Sequence, residues 1–102
     1  MPIEREDMAW LAGFFDGEGS IGGADDKKRR RFPRLTIVQK DITLLQRCVD
    51  LTGMGHIYTH QSQNGTSRWV VDKIEHVQQI MCWMWPWLSE RRKLRYSELR
   101  RL

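Results

Sequence analysis

The sequence has only two cysteines and no long apolar run, and each shortage excludes a class of protein. Its two cysteines, Cys48 and Cys82, have neither the spacing of a zinc site nor the number of a disulfide framework, so we expect two buried thiols on helices. The longest apolar run, residues 81–88, is too short to cross a membrane and contains Pro86. No leader segment is visible at the start. We therefore expect a protein that acts inside a cell or organelle, not secreted and without a membrane partner.

Charge is abundant instead, and its distribution along the chain is uneven. The 102 residues have a net charge of +4 and a pI near 9.4. Residues 1–26 contain one basic and seven acidic side chains, whereas residues 27–102 contain 16 basic and six acidic ones. The length predicts a single domain over residues 1–102. The asymmetry is typical of a polyanion-binding surface beside an acidic site.

Hydrophobic periodicity and turn residues predict the order helix, two strands, helix, two strands and two further helices. Helices are expected at residues 4–15, 42–52 and 73–85 and after residue 89, and strands at 19–24, 32–39, 56–60 and 66–72. The residues expected to begin or end helices are Gly17, Gly19, Asp41, Gly53, Pro86 and Ser89. Asp72 and Glu75 have the spacing of a capping box for the third helix. This order predicts an α+β fold, αββαββα with one more helix, around an antiparallel sheet.

Residues 11–19 read Leu-Ala-Gly-Phe-Phe-Asp-Gly-Glu-Gly, and Ser20 and Ile21 follow. This segment resembles the motif that names the LAGLIDADG homing endonuclease family. The element order and the stretches 35–40 and 85–93 extend the resemblance over nearly the whole chain. It implies the single-motif, homodimeric type, with a saddle-shaped sheet that sits on double-stranded DNA. Because no splicing domain surrounds the motif, an intron-encoded or free-standing element is expected rather than an intein.

Small residues on the first helix allow a second copy of that helix to approach closely in a two-fold contact. The predicted dimer interface consists of Ala9, Leu11, Ala12, Gly13 and Asp16. For Asp16 there is also a structural interpretation, in which its carboxylate caps backbone amides at the helix junction.

Glu18 is expected to follow directly after the first helix, between two glycines that let the backbone turn sharply. The partial negative charge of the helix end adds to the carboxylate, so the position suits a divalent cation. The resemblance implies that Glu18 and the carbonyl of Gly17 bind Mg²⁺ or Mn²⁺ for hydrolysis of both strands of a palindromic or near-palindromic site. It also implies two helpers, Gln39 and Arg91, with Lys93 as the alternative to Arg91, and no small-molecule cofactor.

The period of two along a strand predicts which side chains face DNA. Leu35, Ile37, Ile57, Trp69 and Val71 suit the core. The opposite set, expected in the major groove, is Ser20, Arg34, Thr36, Tyr58, His60 and Arg68, with Gly22, Ala24, Val38 and Val70 on the same side. Five consecutive bases at the first hairpin tip are expected to contact phosphates; they are Lys27, Lys28, Arg29, Arg30 and Arg31.

Two other functions fit parts of the pattern. The family includes maturases and regulators that bind DNA or RNA without cleaving it, and the intact Glu18 argues against that alternative without excluding it. A dimeric basic scaffold with no specific ligand is the third interpretation. The bases expected on the first hairpin argue against it.

Overall fold

The structure is a computed structural model that describes residues 4–25, 31–59 and 65–100. Its elements in chain order are α1 (Arg5–Glu18), β1 (Gly19–Asp25), β2 (Arg31–Gln39), α2 (Ile42–Thr52), β3 (His56–Thr59), β4 (Ser67–Val71), α3 (Ile74–Met84), a 3₁₀ turn (Trp85–Trp87) and α4 (Glu90–Arg100). The predicted α+β order is confirmed. No helix in the described part of the chain is long and apolar enough to cross a membrane.

Helix α2 has the boundaries that its capping residues predict. The Asp41 carboxylate accepts a hydrogen bond of 3.0 Å from the Thr43 backbone N–H, which satisfies one of the unpaired donors of the first turn. Gly53 follows the last turn with a φ of 68°, and its N–H donates to the Val49 carbonyl. Glycine suits this end because a side chain disfavours the left-handed conformation.

The four strands form one antiparallel sheet in the order β1-β2-β4-β3. The pairing of Ile21 with Leu35, and of Ile37 with Trp69, brings the predicted core residues of different strands onto one face. That face joins side chains from all four helices in a single buried cluster, which includes Phe15, Cys48, Met81 and Leu99 among others. The sheet therefore has one face covered by helices and one face free of them, as the alternation predicts.

The boundaries of two helices differ from the prediction. Helix α1 continues three residues further, through Gly17 and Glu18, so Glu18 is its last residue and not the first residue after it. Gly19 alone ends the helix. At α3 the predicted capping box is wrong: Lys73 occupies the N-cap position and no side chain caps the helix.

Three smaller expectations meet different outcomes. Cys82 is exposed, so the prediction of two buried thiols holds only for Cys48. Strand β3 ends at Thr59, and the predicted contact residue His60 lies outside the described residues. The basic residues Lys27, Lys28, Arg29 and Arg30 also lie outside them, and of Arg31 only the backbone in β2 is described.

Candidate nucleic-acid interface and active site

The face of the sheet that the helices leave uncovered, called here the open face, carries the predicted contact residues. Pairing across the strands sets Ser20 opposite Thr36 and Arg34 opposite Gly22. Arg68 lies opposite both Val38 and Tyr58. All of these except Thr36 and Gly22, which are half-buried, are exposed. The predicted orientation of the strands is therefore confirmed for Ser20, Arg34, Thr36, Tyr58 and Arg68.

At two positions, Val70 and His56, the open face differs from the predicted set of exposed residues. Val70 belongs to it by register but is only 6% exposed, so the expectation that it faces outward freely is wrong. It lies on a central strand between Thr36 and His56, which limit its access to solvent. His56 is exposed, and sequence reasoning missed it, although the period of two counted back from Tyr58 points to it.

The open face is polar and, in its described part, carries basic side chains and no acidic one. The guanidinium carbon of Arg68 lies 5.7 Å from the centroid of the Tyr58 ring. The Tyr58 and His56 rings meet edge to face at 6.4 Å. These contacts hold hydrogen-bonding groups at fixed positions on a surface that has donors for phosphate or base oxygens.

Glu18 lies where α1 passes directly into β1. Gly19 donates its N–H to the Phe15 carbonyl, and a Cβ added to Gly19 would lie 2.7 Å from that carbonyl oxygen. The close approach, and not a positive φ, is therefore the reason for glycine at this position. The Glu18 carboxylate is exposed, and no hydrogen bond or ion pair holds it within residues 4–25, 31–59 and 65–100.

Gln39 ends β2 at the same end of the sheet. Gly19 pairs with Ile37, so Gln39, two residues beyond Ile37, lies near the end of the sheet at which α1 enters β1. Its side-chain carbonyl accepts a hydrogen bond of 3.0 Å from the Lys40 N–H. The antiparallel register thus places the backbones of Gln39 and Glu18 at the same end of the sheet.

The end of α1 is joined to the start of α4 by a group of three side chains. The Asp16 carboxylate accepts hydrogen bonds from the Ser89 N–H at 3.1 Å and from the Ser89 hydroxyl at 3.0 Å. Arg92 donates from Nη2 to the Asp16 carbonyl oxygen at 3.1 Å, and its Nε lies 3.9 Å from Asp16 Oδ1. The structural interpretation of Asp16 is confirmed, except that the amide it caps belongs to Ser89 at the start of α4.

Arg92 is a functional candidate that sequence reasoning missed. Its side chain is 14% exposed and lies over the Phe15 ring, 5.4 Å from the centroid. Burial lowers the pKa of its guanidinium, the positive charge of neighbouring Arg91 lowers it further, and Asp16 opposes the shift. Its Nε is buried and has no hydrogen-bond partner in the described part of the chain.

The two candidates for the basic helper, Arg91 and Lys93, lie on opposite sides of α4. Lys93 Nζ is 3.6 Å from the Glu90 carboxylate and 5.4 Å from the centroid of the Trp85 ring. Arg95 donates from Nε to the Ile21 carbonyl of β1 at 3.2 Å, and Arg91, one turn earlier, shares that edge. Arg91 is exposed, and its position one turn before Arg95 places it on the helix side that faces β1. Lys93 is directed toward the tryptophan-rich turn before α4.

The predicted dimer residues of α1 separate into two groups. Leu11 and Ala12 are 0% exposed in the chain's own core, so the expectation that their side chains contact a second copy is wrong. Ala9 is half-buried, and Gly13 and Gly17 are exposed. These three residues are spaced four apart and form one stripe on the outer side of α1.

Across the described residues, no group of three or more His, Cys, Asp or Glu side chains is placed to hold a metal ion. Each copy of the chain offers the Glu18 carboxylate and neighbouring backbone carbonyls at the α1–β1 junction. Mg²⁺ is commonly held by one or two carboxylates together with phosphate oxygens and water, so a donor set of this size fits when a nucleic acid supplies the rest.

The comparisons with known proteins agree with this fold. The family model described as LAGLIDADG endonuclease matches residues 11–96, which is most of the chain. The chain therefore belongs to the LAGLIDADG endonuclease family. A search of curated proteins finds no relative by sequence.

Solved structures of homing endonucleases share the fold. I-CvuI in complex with its target in the presence of calcium has a TM-score of 0.76 and 24% identity, over 96% of this chain and 68% of that chain. I-CeuI, a group I intron-encoded enzyme complexed with DNA, has a TM-score of 0.75 and 16% identity, over 98% and 55%. The archaeal intron-encoded I-Vdi141I, also with DNA, has a TM-score of 0.66 and 22% identity, over 80% and 55%. The match thus covers about half the length of I-Vdi141I and of I-CeuI.

Proposed function

We propose that this chain is a site-specific DNA endonuclease that acts as a homodimer and hydrolyses both strands of a palindromic or near-palindromic site with a divalent metal. The observation that carries the proposal is Glu18, an exposed carboxylate with no hydrogen bond or ion pair to the described residues, at the α1–β1 junction of a family member and beside a polar open face. Neighbouring acids of this chain are engaged: Asp16 is held by Ser89 and Arg92, and Asp7 pairs with Arg47. Of the two acids in the last turn of α1, Asp16 and Glu18, Glu18 is therefore the one better suited to bind a ligand.

The open face supplies the DNA contacts. Its exposed Arg34 and Arg68 are suited to guanine edges or phosphates, and Ser20, Thr36, His56 and Tyr58 add shorter hydrogen-bonding groups. A ribbon of two antiparallel strands fits the major groove, and the sheet offers two such ribbons, β1 with β2 and β3 with β4. The five consecutive bases from Lys27 to Arg31, which lie between β1 and β2 in sequence or begin β2, would contact phosphates.

Glu18 and the carbonyl of Gly17 would hold Mg²⁺ or Mn²⁺, and phosphate oxygens of the substrate complete the ligands. When bound, such an ion supplies a more acidic water and stabilises charge on the leaving oxygen. Gln39, at the end of β2, orients the nucleophile. Arg91, on the edge of α4 nearest β1, stabilises the negative charge that develops on the phosphate, and Lys93 is not required.

A second copy is needed because one chain has one such carboxylate and one half of the contact surface. Ala9, Gly13 and Gly17 form a stripe of small residues, and a Cβ added to either glycine meets no atom of the described residues within 4 Å. Two such stripes packed about a two-fold axis bring the two α1 ends, and with them the two Glu18 side chains, close together.

A non-cleaving protein that binds DNA or RNA is the alternative. It shares the fold, the basic face and the family, and differs only in the chemistry at Glu18. Incubation of the protein with a library of random palindromic duplexes and Mg²⁺ separates the possibilities. Double-strand breaks support the nuclease, enrichment without breaks supports the binding protein, and neither result supports the basic scaffold.

The decisive variant is Glu18→Gln, which keeps the shape of the side chain and removes its charge. We expect it to abolish cleavage of the selected site while the dissociation constant for that site, measured with Ca²⁺, stays within about threefold. Glu75→Gln is the matched control, because Glu75 is an exposed acid on α3 outside the open face. Cleavage by Glu18→Gln at the wild-type rate would overturn the assignment of the metal site.

A further inference from the structure

We propose that Asp16, Ser89 and Arg92, called here the Asp16 bracket, position the Glu18 carboxylate relative to Arg91. This inference rests on the proposed function, because it assigns Glu18 and Arg91 to one reaction. The bracket joins residues 73 to 76 positions apart in sequence through bonds to Asp16. Asp16 lies two residues before Glu18, and Arg92 directly follows Arg91. A displacement of either helix end therefore changes the distance between the acid and the base.

The contacts are directed at the backbone, as a positioning role requires. Arg92 donates to the main-chain carbonyl of Asp16 in the last turn of α1, where carbonyl groups have no partner within the helix. Asp16 in turn binds the main-chain N–H of Ser89, and the Ser89 hydroxyl accepts a bond of 3.4 Å from the Arg92 N–H. Each helix terminus is thus held by a side chain from the other.

Stability alone is a poor reason for arginine at position 92. The side chain lies over the Phe15 ring, its Nε is buried without a hydrogen bond in the described part of the chain, and its distance to Asp16 is long for an ion pair. An apolar side chain of similar volume at such a site is often as stable or more stable, because it avoids desolvation of the charge. The fixed donor geometry of the guanidinium, which reaches a carbonyl and a carboxylate together, is what an apolar residue cannot replace.

Arg47 provides a matched control at the other end of α1. It also links α1 to another helix through an aspartate, since its Nη2 lies 3.7 Å from Asp7. It also lies over an aromatic ring of α1, 4.0 Å from the centroid of Trp10. The substitution Arg47→Met removes the same groups as Arg92→Met, but at the beginning of the helix and away from Glu18.

The test measures single-turnover cleavage of the selected site, DNA binding with Ca²⁺, the unfolding midpoint, and amide hydrogen exchange at Gly19. For Arg92→Met we expect cleavage to slow by about 100-fold, since a misplacement near 1 Å has an effect of that order. We expect exchange at Gly19, whose N–H closes the last turn of α1, to accelerate about tenfold. DNA binding and the midpoint should change little, and Arg92→Lys should recover part of the lost rate by restoring one donor.

Arg47→Met should leave both the cleavage rate and the exchange at Gly19 unchanged. The proposal is overturned if Arg92→Met cleaves at the wild-type rate with unchanged exchange at Gly19, or if Arg47→Met has the same effects as Arg92→Met. Failure of the proposed function gives a different pattern. In that case the wild-type protein cleaves no DNA, whereas the exchange at Gly19 still reports whether the bracket holds the end of α1.

Discussion

Gly55→Ala should be among the most destabilising single substitutions outside the core helices. Gly55 lies between α2 and β3 with a φ of 86°, a conformation that costs about 1 kcal/mol or more for alanine. A Cβ there would lie 3.0 Å from Cδ1 and Cε2 of Trp69, and closer still to its Nε1. Trp69 is fully buried and donates from Nε1 to the Met54 carbonyl at 3.0 Å. Displacement of the indole breaks that bond and leaves a buried donor unpaired, at a cost of about 1–3 kcal/mol.

The total is about 3 kcal/mol, and Gly53→Ala separates its two parts. Gly53 has a φ of 68°, but a Cβ there meets no atom within 4 Å in the part of the chain that the structure describes, so only the backbone cost of about 1 kcal/mol applies. Thermal unfolding of the two variants at one protein concentration is the assay. For a domain of this size about 1 kcal/mol shifts Tm by roughly 4–8 °C. Equal shifts for Gly53→Ala and Gly55→Ala would refute the argument from the Trp69 contact.

Two further predictions concern titratable groups. Hydrogen bonds from the Thr43 side chain and N–H lower the pKa of Asp41, so its stabilising effect should be complete above its ordinary pKa and be lost as the pH falls through the lowered value. Asp41→Asn should flatten the acid side of the profile of unfolding midpoint against pH, and an unchanged slope would contradict this. Burial raises the pKa of Cys48 to about 12, so at pH 8 a thiol reagent should label Cys82 alone in the folded protein and both cysteines in denaturant. Rapid labelling of a folded Cys82→Ser variant would show that Cys48 is accessible.

The parts of the fold that local chemistry determines were predictable from the sequence. Helix α2 begins and ends at the predicted residues because Asp41 caps one end and Gly53 adopts the left-handed conformation at the other. The faces of β2 and β4 follow from alternation, since Leu35 and Trp69 need burial and Arg34 and Arg68 need water. Each of these choices depends on residues within a few positions of one another.

The end of α1 could not be predicted in this way. Glycine in a helix is unfavourable by about 1 kcal/mol relative to alanine, so Gly17 suggested a terminus. The helix continues because Gly19, and not Gly17, is the residue that pairs with Ile37 of β2 and packs against the Phe15 carbonyl. Tertiary pairing therefore sets the boundary, and it moves Glu18 from a flexible turn to the last residue of a helix. The N-terminus of α3 is also set by the sheet. Because β4 ends at Val71 and α3 begins at Ile74, only Asp72 and Lys73 connect them, and Lys73 rather than Asp72 occupies the N-cap position.

The sequence alone does not distinguish Arg91 from Lys93 as the proposed helper, because the distinction depends on how α4 packs against α1. A helix with basic residues at 91, 92, 93 and 95 has no apolar stripe that is obvious from composition. The buried side of α4 nevertheless has helical spacing, with Arg92, Tyr96 and Leu99 at intervals of four and three. Arg92 takes the place of an apolar residue in that stripe, and a charge in such a position requires an opposite charge or a carbonyl across the interface. Asp16 supplies both, which fixes the rotation of α4 about its axis. That rotation places Arg91, one turn before Arg95, on the side of β1 and Lys93 near Trp85, which supports Arg91 as the base proposed to act with Glu18.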